Sequence, residues 1–200
     1  MDKYEEFLRR KKITVPAVGI DVANITINKR LFDFQRDIVL WALRKGKAAI
    51  FAGTGLGKTL MQLEWAKHIG GTVLILAPLA VSKQTISEGG KFGISVNHCH
   101  SQEDVVKGRI NITNYERMAR FDFSQFRGIV LDESSILKAQ AGKIRTQLIE
   151  CCRQIPYRLA CTATPAPNDL MELCNHSEFL GVMSSSEMLA TFFVHDGGDT

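Results

Sequence analysis

Absent from the 200-residue chain is any apolar run approaching the roughly 18 residues that a membrane-spanning helix needs. The first residues, MDKYEEFLRRKK, hold no apolar segment of the secretory kind. Together these absences predict a cytoplasmic protein, or a nucleoplasmic one in a nucleated cell. Cysteine is sparse and unpatterned: Cys99, Cys151, Cys152, Cys161 and Cys174 are odd in number and form no C-x-x-C pair. That argues against a disulfide framework and predicts reduced core residues. His98-Cys99-His100 carries ligand-type side chains at a strand end, but no second ligand pair accompanies it. Internal repeats and low-complexity linkers are also missing, which excludes a solenoid. An excess of one charge is slight. The formal net charge of +4 permits binding to a polyanion without arguing for it, and the RRKK run at 9–12 reads as a solvated helix end.

What is present is the composition of a soluble globular chain, 45% hydrophobic and 23% charged, long enough to bury one proper core. Short β-type runs alternate with longer helical patterns. Strands are predicted at 48–51, 73–77, 95–97, 109–113, 129–131 and 158–161. VLILA and GIVL are continuously apolar, as strands buried on both faces of a parallel sheet are. A helix is predicted from near Phe32, with Leu31, Phe34, Ile38, Trp41 and Ala42 as its apolar face. Others are predicted at 58–68, 82–88, 143–152 and 168–179. The alternation predicts a three-layer α/β domain over 31–200 with right-handed crossovers. Residues 1–30 read as an N-terminal extension packing beside it. In such sheets ligands bind at the carboxyl ends of the strands.

The residues following the strands carry the chemistry. After AAIF comes Ala52-Gly53-Thr54-Gly55-Leu56-Gly57-Lys58-Thr59 and then a helix. Small residues let backbone N–H groups converge on phosphate oxygens, and the helix N-terminus adds partial positive charge. In this context Lys58 would reach the β- and γ-phosphates and the Thr59 hydroxyl would ligate Mg²⁺. After GIVL comes Asp132-Glu133, 74 residues beyond Lys58. A carboxylate at the end of a buried strand is costly unless a cation sits there. Asp132 would hold the Mg²⁺ shell and Glu133 would position and deprotonate the attacking water. After YRLA comes CTATPAPND, which as an isolated stretch is only a proline-terminated strand.

In this order the three stretches resemble the first RecA-like lobe of superfamily-two helicases and translocases. Within the DEAD/DEAH-box-like group they look most like the SWI/SNF-type double-stranded DNA translocases and their bacteriophage relatives. The resemblance runs over about residues 31–193. That family tolerates Ala at the first loop position, here Ala52, and Gly55-Leu56-Gly57-Lys58-Thr59 is its favoured GLGKT. LFDFQRD resembles its LRPYQRE element, which implies that Gln35 reads the adenine edge, with Phe32 or Arg36 packing nearby. LAPLAVSKQ and ITNYE resemble its nucleic-acid contact motifs, which implicates Pro78, Ser82 and Gln84, and Thr113, Asn114 and Tyr115, as phosphate contacts. Thr162 and Thr164 match the motif thought to couple hydrolysis to movement, and DLMELCNHSEFL, from Asp169, resembles the helix that follows it.

The departures are informative. The family usually has Gly-His, Ala-Asp or Ala-His after its Asp-Glu pair, where this chain has Ser134 and Ser135. Ser135 is too short to bridge directly to Thr162 and Thr164, which leaves the coupling route open. A second RecA-like lobe, with its arginine finger, does not occur in these residues, and HDGGDT reads as a cut inside a longer protein. The resemblance thus implies the ATP- and Mg²⁺-binding lobe of an ATP-dependent DNA translocase or helicase, with duplex DNA and a second lobe as partners. An RNA helicase of the same superfamily, or an ATP-switched binding or protein-remodelling module, are the alternatives.

Overall fold

The structure, a computed structural model, describes residues 4–7, 15–139, 143–166 and 170–193. The RRKK run, Asp169 and the terminal HDGGDT lie outside the described residues. Six strands form one all-parallel sheet: β1 Lys47–Phe51, β2 Val73–Ala77, β3 Val96–His98, β4 Ile110–Asn114, β5 Gly128–Asp132 and β6 Tyr157–Thr162. Each predicted strand is found within a residue or two of its expected place. The spatial order is β1-β6-β5-β2-β4-β3. β6 therefore lies between the strand that delivers the glycine loop and the strand that delivers Asp132, with Phe51 opposite Thr162 and Asp132 opposite Cys161.

The main helices are α1 Asp33–Lys45, α2 Lys58–Ile69, α3 Leu79–Lys91, α4 Ile136–Ala139, α5 Lys143–Cys152, α6 Leu173–Leu180 and α7 Ser185–Phe192. They cover both faces of the sheet. Along β2, Val73, Ile75 and Ala77 pack with α1, α2 and α3, whereas Leu74 and Leu76 pack with α5 and α6. This explains why VLILA is apolar without alternation: each face of the strand meets a helical layer. α1 forms where expected, but its buried face is Gln35, Val39, Ala42 and Leu43, while Phe34 and Trp41 are exposed. The apolar face expected from sequence is therefore rotated relative to the real one, because a polar side chain, Gln35, points inward. Sequence reading also missed the short α4 and the whole of α7, and the stretch expected to be helical from 168 has a 3₁₀ turn, Leu170–Glu172, before α6.

The segment before α1 is tied onto the core. The N–H groups of Val18, Gly19 and Ile20 donate to the carbonyls of Lys45, Arg44 and Leu43, which α1 leaves without helical partners at its C-terminal end. Gly19 is required there, since a Cβ would sit 1.8 Å from the Leu43 carbonyl oxygen. Ile27 and Leu31 enter the main core, and Asn28 donates from its backbone to Glu64 of α2 (2.9 Å) and from its side chain to the Phe92 carbonyl. All five cysteines are free and four are buried. No helix among the described residues is long and apolar enough to cross a membrane.

Candidate active site

β1 ends where the glycine loop begins, and the Ala52 N–H donates to the Thr162 carbonyl (3.2 Å), so the loop starts out anchored to β6. Residues 53–56 are exposed. Gly57 caps α2 at φ 77°, in the left-handed region, and a Cβ there would lie 2.4 Å from Gln35 Nε2. Only glycine serves at this position. Gln35 itself is 5% exposed. Its Nε2 donates to the Leu56 carbonyl (2.9 Å) and its Oε1 accepts the Phe32 N–H (3.0 Å), clamping the loop to the start of α1. One amide N–H and one oxygen lone pair of Gln35 stay uncommitted. Lys58 folds back over the loop, with Nζ donating to the carbonyls of Ala52 (2.9 Å) and Gly53 (3.2 Å). Thr54, Gly55 and Thr59 complete the loop, and Arg36 is occupied with Asp33 (3.2 Å).

Asp132, the last residue of β5, is 4% exposed, and its Oδ2 has no hydrogen-bond partner. Burial pushes its carboxyl above the ordinary range, reinforced by Glu133 and opposed by the Gln62 amide and Lys58. Gln62, on α2, lies close enough to favour the charged carboxylate, yet neither of its amide atoms makes a hydrogen bond of ordinary geometry. The orphaned oxygen beside the lysine is the donor set a hard cation takes. Beneath it, the buried Tyr115 hydroxyl donates to the Asp132 carbonyl (2.8 Å). Burial, with Asp132 next, holds that phenol well above its ordinary value.

Glu133 has φ 51°, the one positive φ outside glycine among the described residues. An L-residue held there costs roughly 1–2 kcal/mol, and such strain gathers where the surroundings over-determine a site. Its Oε2 accepts from Thr162 Oγ1 (3.4 Å), which in turn accepts the Thr164 N–H (3.1 Å). The glutamate therefore reaches the threonines without an intermediary. Ser135 does not join them: its hydroxyl turns back to the Glu133 carbonyl at 3.5 Å. The contact that ties Glu133 to Thr162 thus bypasses Ser135.

The neighbouring serine, Ser134, makes a contact that sequence reading did not anticipate. Ser134 N–H donates to the Cys161 carbonyl (2.8 Å), and its buried hydroxyl shares a hydrogen bond with His176 Nε2 of α6 at 3.0 Å. The His176 ring stands edge-on to Phe51 at the end of β1 (5.2 Å). The family resemblance takes in the stretch containing His176 but does not single that residue out. The available signal is a histidine where the helix turns its apolar side inward, and nothing in sequence ties it to a serine 42 positions earlier.

The side chains expected to touch nucleic acid divide by burial. Gln84 is exposed and Pro78 half-buried, whereas Ser82, Thr113, Asn114 and Tyr115 are buried. In this conformation those four side chains present little surface to solvent. The Tyr115 hydroxyl donates to the Asp132 carbonyl in this conformation.

A model of the DEAD/DEAH box helicase family matches residues 32–173. Among solved structures, the chain is similar to the Sulfolobus solfataricus SWI2/SNF2 ATPase core in complex with dsDNA, with TM-score 0.71 and 24% identity over 84% of this chain and 40% of that one. It is similar also to the UvsW helicase from bacteriophage T4, with TM-score 0.61 and 15% identity over 91% of this chain and 66% of that one. A third is the Pyrococcus furiosus Hef helicase domain, with TM-score 0.63 and 18% identity over 78% and 39% of the two chains. The chain thus spans less than two thirds of the length of each. Comparison with curated proteins found no match. At these identities the structural likeness speaks to the fold alone, a RecA-like sheet with its helices. The family match, which takes in α1, the glycine loop and the Asp132-Glu133 turn over well more than half of the residues, adds what the fold cannot: the chain belongs to the DEAD/DEAH box helicase family.

Proposed function

We propose that this chain is the ATP-binding and hydrolysing lobe of a translocase or helicase that moves on duplex DNA, with residues 31–200 as the lobe and 1–30 as an extension. The observation that carries the reading is the buried Asp132 oxygen without a partner, on a strand separated only by β6 from the strand that ends in the glycine loop. Mg²⁺·ATP, when bound, supplies the phosphoryl group and a metal that neutralises its developing charge. The chain's own residues divide the remaining work. Lys58 is already directed into the loop, where its ammonium would hold phosphate oxygens in place of its two carbonyl partners. Thr59 and Asp132 are the oxygen donors for the metal. Glu133, held by its left-handed backbone and by Thr162, is the base for the attacking water. Gln35 has one donor and one acceptor left for an adenine edge, and Arg36 lies beside it.

The second RecA-like lobe is the proposed partner that completes the site. An arginine finger is worth roughly 10³–10⁵ in rate in related phosphoryl transfers, so the 200-residue chain alone is expected to turn over ATP slowly. The test measures ATP binding and turnover with and without duplex DNA, single strands and RNA. Lys58→Ala should abolish nucleotide binding, and Glu133→Gln should bind ATP but not hydrolyse it. Undiminished binding by Lys58→Ala, or vigorous DNA-stimulated turnover by the chain alone, sinks the proposal. Preferential stimulation of the two-lobed protein by RNA replaces it with the RNA helicase alternative.

A further inference from the structure

The nucleotide site leaves one buried pair of side chains without a task. Ser134 follows Glu133, the residue held at φ 51°, and it is fully buried. Its N–H is tied to β6 through the Cys161 carbonyl, while its hydroxyl bonds to His176 Nε2 at 3.0 Å. α6 places a second side chain on the same stretch, for Asn175 Nδ2 donates to the Leu137 carbonyl (3.3 Å). Asn175 is fixed in its turn, its Oδ1 accepting from Arg145 of α5 at 2.7 Å. Two successive residues of α6 therefore hold the segment after Glu133 at two points. The His176 ring also stands edge-on to Phe51, the residue before Ala52 and the glycine loop. This hold comes from a helix beyond Thr164 and is made by different atoms from the Thr162 contact with Glu133.

Stability does not account for the pair. A buried hydroxyl and imidazole that satisfy each other gain little over two apolar groups of the same shape, whereas losing one partner strands the other. Strain gives the pair a purpose. A left-handed backbone at a residue other than glycine persists only where its surroundings over-determine it, and Ser134 is the first residue on the carboxyl side of that strain. We propose that His176 is a positioning residue for ATP hydrolysis. Through Ser134 it keeps the acidic turn from relaxing, and so keeps the Glu133 carboxylate where it meets Thr162 Oγ1. The inference rests on the reading of Glu133 as the base for the attacking water. His176 acts through Ser134 and is not itself a group of the reaction. A misplacement of about 1 Å at a reacting group can cost on the order of 10²-fold in rate, and losing the His176 contact should be felt on that scale.

The test follows a single round of ATP hydrolysis by the 200-residue chain, in excess over labelled Mg²⁺·ATP, beside the Kd for ATP. Ser134→Ala and His176→Phe should each bind ATP like the parent and hydrolyse it roughly 10- to 100-fold more slowly. His176→Phe keeps a ring against Phe51 and removes only the nitrogens. His176→Gln, whose amide can reach Ser134, should restore part of the rate. Ser134→Ala combined with His176→Phe should lose no more than either alone, since the pair acts as one unit. That double variant strands no buried polar group, so its urea midpoint should match the parent's, which separates the kinetic loss from misfolding. A readout free of turnover is the nitrogen resonance of His176 Nε2. Ser134→Ala should move it in the nucleotide-free chain, and Mg²⁺·ATP should displace it in the parent. Variants that hydrolyse ATP at the parent's rate, rate losses that add, or a resonance indifferent to Mg²⁺·ATP overturn the proposal and leave the ATPase reading in place. A parent that binds no ATP, or a Glu133→Gln variant that hydrolyses it as fast as the parent, overturns that reading instead.

Discussion

Two charged side chains are buried in adjacent strands of the same sheet, and the protein treats them in opposite ways. Arg158, near the amino end of β6, is 5% exposed, and its guanidinium donates to the main-chain carbonyls of Ile155 (3.0 Å), Phe179 (2.5 Å) and Arg153 (2.8 Å). Asp132, at the carboxyl end of β5, is as deeply buried and has an oxygen with no partner. One charge is spent closing the ends of α5 and α6. The other is held in readiness. A buried charge surrounded by its full set of partners is a structural element, whereas a buried charge left short marks where something from outside is meant to bind.

If the contrast is right, the largest stability effect comes from Arg158. Arg158→Ala strips three carbonyls of a charged donor and is expected to cost about 3 kcal/mol, read as a lower midpoint in urea with the slope unchanged. Gly57→Ala comes next. It forces a side chain into a left-handed backbone and against Gln35, and should cost about 2 kcal/mol while weakening nucleotide binding. Titrating both effects against ATP separates them, because only the second changes with nucleotide.

Asp132 should behave in the opposite sense. Its folded-state carboxyl is raised by burial, so the folded chain holds this proton more tightly than the unfolded chain does. The stability that proton contributes is present below the ordinary carboxylate range and is lost as pH rises through the raised value. At neutral pH the charged group is a burden. Asp132→Asn is expected to stabilise the nucleotide-free chain by on the order of 1 kcal/mol while abolishing hydrolysis, the gap closing below pH ~4 where both side chains are neutral. A variant less stable than the parent at neutral pH would erase the contrast with Arg158. The smallest effect is expected at Glu133. Glu133→Gly relieves its φ of 51° for a gain of under about 1 kcal/mol, again with loss of turnover.

The sheet was legible from sequence because both-face burial leaves a strong mark: VLILA and GIVL cannot be anything solvated, and every strand fell near its expected position. The glycine loop and the Asp132-Glu133 turn were legible as the turns that follow two buried strands, because small residues and a carboxylate pair stand out against the apolar runs before them. The buried face of α1 was not, since Gln35 turns inward to serve the loop while Phe34 and Trp41 face outward. The burial of Ser82, Thr113, Asn114 and Tyr115 was equally hidden, because polar residues look the same in sequence whether they face solvent or a helical layer. Ser134 and His176 meet only through tertiary folding, and neither position advertises the other.

β6 gives the two halves of the site a common support. The carbonyl of Thr162 receives the first amide of the glycine loop, its hydroxyl meets Glu133, and the carbonyl of Cys161 receives Ser134. Two consecutive residues of one strand therefore fix the position of the glycine loop and of the acidic turn at once. Mechanically this removes a degree of freedom: a shift of β6 at Cys161 and Thr162 carries the loop and the acidic turn with it, because both are bonded to the same two residues.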